Sequence, residues 1–388
     1  MPGPTAQVHY CAGRHLQPES LTANLCHEKL TSVKWNTVSG LPGRPARSPR
    51  PLWHNPLRPT VVAAAIVAIL GPFTLFAGVA NAEDVSAAPS PGCAVAATTP
   101  GRTLEHFAAD GRAGSYIRDI PAAPGPRPVV LDLHGYLEPA VIAHASSGFG
   151  DYGATQGFIT VTPQLDEPGP PRWNFEPQSA DMHWLAGLID HVGATLCADT
   201  RRIFVAGLSM GAFTTSSLAC HLSDRIAAIA PVAGVQDFPW CTTSRPVPVI
   251  AFHGTADPIV AYTGGSGPNA RLLPSPDGTG SSVGTDRNGP TVNGPGPASV
   301  PESVAGWARR NGCGAVPDRQ QIAPDVYRER YPCPAGTDVE LYSVQGGGHV
   351  WPGDTVVPFP EVFVGSNTTS IDATQLIWDF FEAHPLPE

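Results

Sequence analysis

The chain has 388 residues, of which 42% are hydrophobic and 14% charged, and carries a formal net charge of −10. That length supplies a buried core for one large domain or two ordinary ones. The acidic balance repels phosphate backbones, which sets nucleic acid aside as a partner. Both lysines, Lys29 and Lys34, precede residue 83. The remainder therefore has no amine side chain for a Ser–Lys dyad, a pyridoxal Schiff base or a P-loop.

Residues 60–79, TVVAAAIVAILGPFTLFAGV, are apolar and uncharged, follow Arg44, Arg47, Arg50 and Arg58, and run into Ala80-Asn81-Ala82. These are the charged region, apolar core and small-residue cleavage site of an export signal, with a mature start near Glu83. A run of this length also suits a membrane anchor. Pro72 and the Ala-x-Ala site favour cleavage. Residues 1–58 read as an overlong charged region, so 1–82 is set apart as a leader. It holds seven of the 23 basic and two of the 33 acidic residues, leaving 16 and 31 and a net charge of −15. Cys93 follows Ser90-Pro91-Gly92 and lacks the Leu-small-small pattern of a lipidated cysteine.

A short Ala/Pro/Ser linker at 83–92 leads into strands at 103–107 and 115–120 around Asp110-Gly111, the pattern of a β-hairpin. Apolar runs of strand length follow at 129–133, 158–161, 203–206, 226–232, 247–252 and 339–344. Between them, 181–196 places apolar residues at 182, 185, 188, 189, 192 and 196, a helical stripe opened by an Asp. Segments 213–222, 301–310 and 373–383 read similarly. Continuous apolar strands alternating with helices indicate an α/β domain over 93–388 with a mostly parallel sheet. Residues 264–298, rich in Gly, Pro, Ser, Asn and Asp, interrupt this pattern. Such an insert is either a surface excursion or a flap beside a substrate cleft.

The chemistry centres on residues 203–213, IFVAGLSMGAF. A β-branched run supplies a buried strand, Gly207 and Gly211 flank Ser209, and a helix follows. That is the context of a nucleophile elbow, where a sharp turn between small neighbours exposes the hydroxyl. The base is assigned to His349, in QGGGHVWPG directly after the strand at 339–344, ahead of His253 and His134. The acid is assigned to Asp257, in HGTADP after the strand at 247–252, ahead of Asp286 and Asp354, which follow no strand. The order Ser, acid, His is that of α/β-hydrolases. Backbone N–H groups of Met210 and of Tyr136, in LDLHGYLEP, are expected to form the oxyanion hole. The side chain of His134 reads as a brace for that loop.

Six cysteines follow the leader, at 93, 197, 220, 241, 313 and 333, an even number that points to disulfides in an exported chain. Six cysteines allow about 15 connectivities. Cys220/Cys241 and Cys313/Cys333 are the sequence neighbours, which would leave Cys93 for Cys197. No CxxC or CxxH spacing argues for a metal.

LHGY, GLSMG, HGTADP and GGGHVWPG, in this order, resemble the secreted polyhydroxybutyrate depolymerase-type esterases, a group that includes feruloyl and acetylxylan esterases of carbohydrate esterase family one. The resemblance runs from about Cys93 to the C-terminus. It implies the α/β-hydrolase fold, a Ser209, Asp257 and His349 triad, and bridges Cys220–Cys241 and Cys313–Cys333. The long 264–298 insert departs from the family. No cofactor or metal is called for. The expected partner is an ester, small or oligomeric, such as 3-hydroxybutyrate oligomers, short-chain esters, or feruloyl and acetyl esters of plant polysaccharides. Acyl transfer on the same scaffold is a further reading. Trp351 and Trp173 are candidate walls for the substrate. No membrane partner is expected once the leader is removed, and oligomeric state is left open.

Overall fold

In the computed structural model, residues 86–95, 98–274, 297–354, 356 and 359–388 are described, all within the unit Val79–Glu388. The expected export signal at 60–79, its cleavage site at Ala82, Asp286 and residues 275–296 of the insert lie outside them. Strands β1 (Gly101–Ala109), β2 (Arg112–Ile120), β3 (Arg127–Leu133), β4 (Ile159–Leu165), β5 (Ala198–Leu208), β6 (Ala228–Val232), β7 (Val249–Gly254), β8 (Asp318–Ala323), β9 (Val326–Arg330) and β10 (Val339–Val344) form one sheet. Its order is β1-β2-β4-β3-β5-β6-β7-β10-β9-β8. From β4 to β10 every neighbouring pair is parallel. The β1–β2 and β8–β9 hairpins add antiparallel edges. Asp110 (φ 51°) and Gly111 (φ 76°) make the tight turn of the first hairpin.

Side chains alternate across a strand, so continuous apolar runs feed two cores. Val129, Leu131 and Leu133 of β3, with Val205 of β5 and Leu341 of β10, face one side. Val130, Phe204 and Tyr342 face the other. The helices are α1 (Ala140–Ser147), α2 (Phe149–Gln156), α3 (Ala180–Thr195), α4 (Met210–His221), α5 (Val300–Arg310), α6 (Glu361–Val364) and α7 (Ala373–Glu382). The first face is covered by α3, α4 and α5 through Trp184, Phe213 and Trp307, and the second by α2 and α7 through Phe149, Trp378 and Phe381. Burying each such aromatic contributes roughly 1.5–3 kcal/mol. Helix α5 opens on a capping box, in which the Ser299 hydroxyl accepts from Glu302 N–H and the Glu302 carboxylate accepts from Ser299 N–H. This is an α/β-hydrolase fold.

Disulfides join Cys93–Cys197, Cys220–Cys241 and Cys313–Cys333, which resolves the open connectivity. The expected linker at 83–92 is instead packed over its last residues. Ala88 N–H donates to Asp199 Oδ1, and the Ser90 hydroxyl donates to Leu196 O and accepts from Ala198 N–H. The Cys93 bridge to Cys197 clamps this stretch against the start of β5. No helix of the described residues is long and apolar enough to cross a membrane.

Candidate active site

Ser209 sits between the end of β5 and the first residue of α4, with φ 59° and ψ −118°. A non-glycine backbone there costs about 1–3 kcal/mol and persists only where the surroundings over-determine it. They do: Ser209 N–H donates to Val232 O at 2.9 Å, and a Cβ on Gly211 would meet Leu133 O at 2.0 Å. The two elbow glycines thus let the turn press onto β3. From Met210 to Cys220 every residue of α4 is buried, and the Thr214 and Ser216 hydroxyls donate back to the Met210 and Ala212 carbonyls. As the first residue of α4, Met210 has an amide with no acceptor inside the helix.

His349 and Asp257 arrive on the loops after β10 and β7. His349 Nδ1 lies 2.7 Å from Asp257 Oδ2, and both side chains are buried. The glycines before His349 permit that approach, since a Cβ on Gly348 would meet Val364 O at 2.1 Å. Asp257 Oδ1 accepts from Ile259 and Val260 N–H at 2.8 and 2.9 Å. Burial alone would raise this carboxyl. The charge of His349, then hydrogen bonds from His253 and His349, outweigh it and hold Asp257 well below the ordinary carboxylate range. With Nδ1 committed to Asp257, Nε2 is the ring nitrogen of His349 left for chemistry.

The other expected residues are distributed unevenly. His253 is buried behind Asp257, with Nε2 at 2.9 Å from Val260 O and 3.2 Å from Asp257 Oδ2, so it supports the acid and is not placed as a base. Asp354 makes a local turn through Oδ1 to Val356 N–H and borders the cleft. His134 stacks on Trp173 with ring centroids 4.6 Å apart, and its Nδ1 meets Gly135 O at 2.8 Å. Burial lowers its pKa to about 4, against the Gly135 hydrogen bond, so it is neutral at ordinary pH. Trp173 differs from expectation. Its indole N–H donates to His134 O, its ring is 3% exposed, and it braces the 134–136 loop from behind without lining either cleft.

A cleft opens beside Ser209 and His349, with Val350, Trp351 and Phe363 among its apolar walls. Trp351 lines it while almost fully buried. Its indole N–H donates to Thr374 Oγ1 and its ring packs edge-on against Phe149. A second hollow shares Tyr136, Ser209, Ile259 and Leu273 and adds Met210 and Phe213. The described flanks of the 264–298 insert border it through Gly265, Ala270 and Pro297. The Tyr136 hydroxyl donates to Pro274 O, which ties the insert to the 134–136 loop.

One further residue of LDLHGYLEP, given no role above, also reaches the site. Glu138, 2% exposed, accepts from Gly135 N–H through Oε2 at 2.7 Å. It borders the cleft beside Ser209 and His349.

A parallel sheet in this order, a strained serine between β5 and α4, and a His–Asp pair on the loops after β10 and β7 define an α/β-hydrolase. No family model matches the chain. In sequence it is similar to feruloyl esterase B of Piromyces equi, 31% identical over 186 residues that cover 46% of this chain and 31% of that protein. It is 29% identical over 135 residues to the bifunctional acetylxylan esterase/xylanase XynS20E of Neocallimastix patriciarum, covering 35% of this chain and 20% of the other. Poly(3-hydroxyalkanoate) depolymerase C of Paucimonas lemoignei matches at 28% over 251 residues, 60% of this chain and 56% of the other. The chain therefore spans less than two thirds of the length of each of these relatives. Among solved structures, acetyl xylan esterase from Aspergillus awamori aligns with a TM-score of 0.48 at 13% identity, over 72% of this chain and 99% of that one. The names of the sequence relatives fall in the group that the four motifs resemble.

Proposed function

We propose that the chain is an exported serine esterase that hydrolyses carboxylic esters through Ser209, His349 and Asp257. The observation that carries this reading is the 2.7 Å His349–Asp257 contact set beside a strained serine in one apolar cleft. His349 Nε2 takes the Ser209 proton as Oγ bonds to the ester carbonyl carbon. Asp257 holds Nδ1–H and stabilises the imidazolium. The Met210 and Tyr136 amides donate to the tetrahedral oxyanion. Collapse breaks the bond to the leaving alcohol, which takes its proton from His349. Water, deprotonated by His349, then releases the acid from the acyl-enzyme and restores the serine.

Two apolar hollows meeting at Ser209 support an ester with one arm in each, as in 3-hydroxybutyrate oligomers or short-chain esters. Similarity to a poly(3-hydroxyalkanoate) depolymerase favours that substrate class. Similarity to a feruloyl esterase and an acetylxylan esterase favours a second reading, hydroxycinnamoyl or acetyl esters of polysaccharides. Three disulfides support an oxidising, extracytoplasmic destination. Purified protein is expected to hydrolyse nitrophenyl butyrate and to lose at least about 10⁴-fold in kcat in Ser209→Ala. Undiminished turnover in that variant rejects the reading. Comparing kcat/KM for 3-hydroxybutyrate oligomers, methyl ferulate and acetylated xylan separates the two substrate classes.

A further inference from the structure

We propose that Glu138 is a positioning residue of this site, holding the 134–136 loop through the Gly135 amide and acting by its charge on the His349 imidazole. The inference deepens the esterase reading and rests on it for the rate measurements.

Glu138 closes its own turn twice. Its carboxylate accepts from Gly135 N–H at 2.7 Å, and its backbone N–H donates to Gly135 O at 3.4 Å. Between them Leu137 is held at φ 64°, with its N–H donating to Pro171 O. That strained turn presents Tyr136, the second amide assigned to the oxyanion. A Cβ placed on Gly135 would come within 3.0 Å of Glu138 Oε2 and 3.4 Å of Ser209 Cβ, so a glycine is what lets this turn sit between the carboxylate and Ser209. Removing the carboxylate leaves the Gly135 amide buried without its acceptor, and the loop loses its register against Ser209.

The second oxygen, Oε1, is buried and has no hydrogen-bond partner among the described residues. A carboxylate so incompletely satisfied is electrostatically exposed to its neighbours. The titratable groups facing it are His349 and Asp354 from the loop after β10 and Asp132 from β3. Burial raises its pKa to about 7, while the Gly135 amide and His349 pull it down and Asp354 pushes it up. Its charge therefore changes within the working range of an imidazole base. Ionised Glu138 places a negative charge on the wall of the cleft that His349 also lines, where the imidazole becomes positive on taking a proton.

Two variants separate the roles. Glu138→Gln keeps an oxygen for the Gly135 amide and removes the charge, whereas Glu138→Ala removes both. In Glu138→Ala, kcat on nitrophenyl butyrate at pH 8 is expected to fall about tenfold with KM within about twofold, the signature of misplaced catalytic groups. Glu138→Gln is expected to recover kcat to within about threefold of the parent. Its acidic limb of kcat/KM, and the His349 titration followed by NMR in a Ser209→Ala background, should both move to lower pH by about half a unit. Parental kcat in Glu138→Ala, or an unmoved imidazole titration in Glu138→Gln, overturns the proposal. Should Glu138→Ala fail to fold, Glu138→Gln decides alone through the imidazole. A protein that cleaves no ester yet shows the imidazole shift refutes the esterase reading and upholds the action of Glu138 on His349.

Discussion

Asp257 and Asp132 are both buried carboxyls at the same end of the parallel sheet, and their surroundings treat them oppositely. Asp257 accepts two backbone amides and an imidazole, with a second imidazole at 3.2 Å. Asp132 accepts the Ser147 hydroxyl at 2.6 Å, stands 3.5 Å from that of Thr162, and faces Glu138. Burial drives the Asp132 pKa to about 7, with the hydroxyls lowering it and Glu138 adding to the rise. The difference teaches that depth does not decide ionisation. Rigid amides and imidazoles stabilise a carboxylate where two rotatable hydroxyls do not.

That contrast is most exposed to a paired substitution. Asp257→Asn should lower kcat by about 10⁴, because an amide cannot hold the His349 tautomer, while Asp132→Asn should leave kcat within about threefold. Similar losses in both would erase the distinction. A smaller effect is expected of His253→Phe, which takes one donor from the Asp257 carboxylate. It should cost about 1.5–3 kcal/mol in urea unfolding, and an unchanged midpoint would show that the backbone amides suffice. Smallest is a change of slope. The Asp132 value in the folded chain, about 7, lies above the ordinary 3.8. The native state therefore keeps a proton that the unfolded chain releases, and stability falls as pH rises through that window. Glu138 acts in the same direction, from 4.5 to about 7. Asp132→Asn should halve this decline roughly, and an unaltered pH profile of the denaturation midpoint would place the charge elsewhere.

Much of this arrangement is legible from residue order because Ser209 and the acid and base proposed for it each follow a continuous apolar strand. That context points to Ser209, Asp257 and His349, and the structure brings the last two into contact beside the first. Helices α1 and α2 carry no such signal. Their sequence, AVIAHASSGFGDYGATQ, is short, broken by Gly148 and without a sustained helical stripe. The β8–β9 hairpin escaped for a related reason, since Asp318–Ala323 is almost wholly exposed and polar, with no alternation to read. Trp173 and Glu138 show a different limit. An aromatic beside prolines looks like a cleft wall and a glutamate three residues after a glycine looks like surface. Only the folded loop after β3 reveals that Trp173 braces it from behind and that Glu138 closes it from the cleft side.

Helix α4 has one more consequence. Because it is enclosed on all sides and carries Ser209 at its N-cap, the hydroxyl proposed as nucleophile has no local hinge of its own. Its reactivity toward a small organophosphorus reagent should vanish over the same denaturant range as the tryptophan fluorescence of the core. Covalent titration of one serine would then serve as a census of intact molecules, reporting the whole fold through a single oxygen.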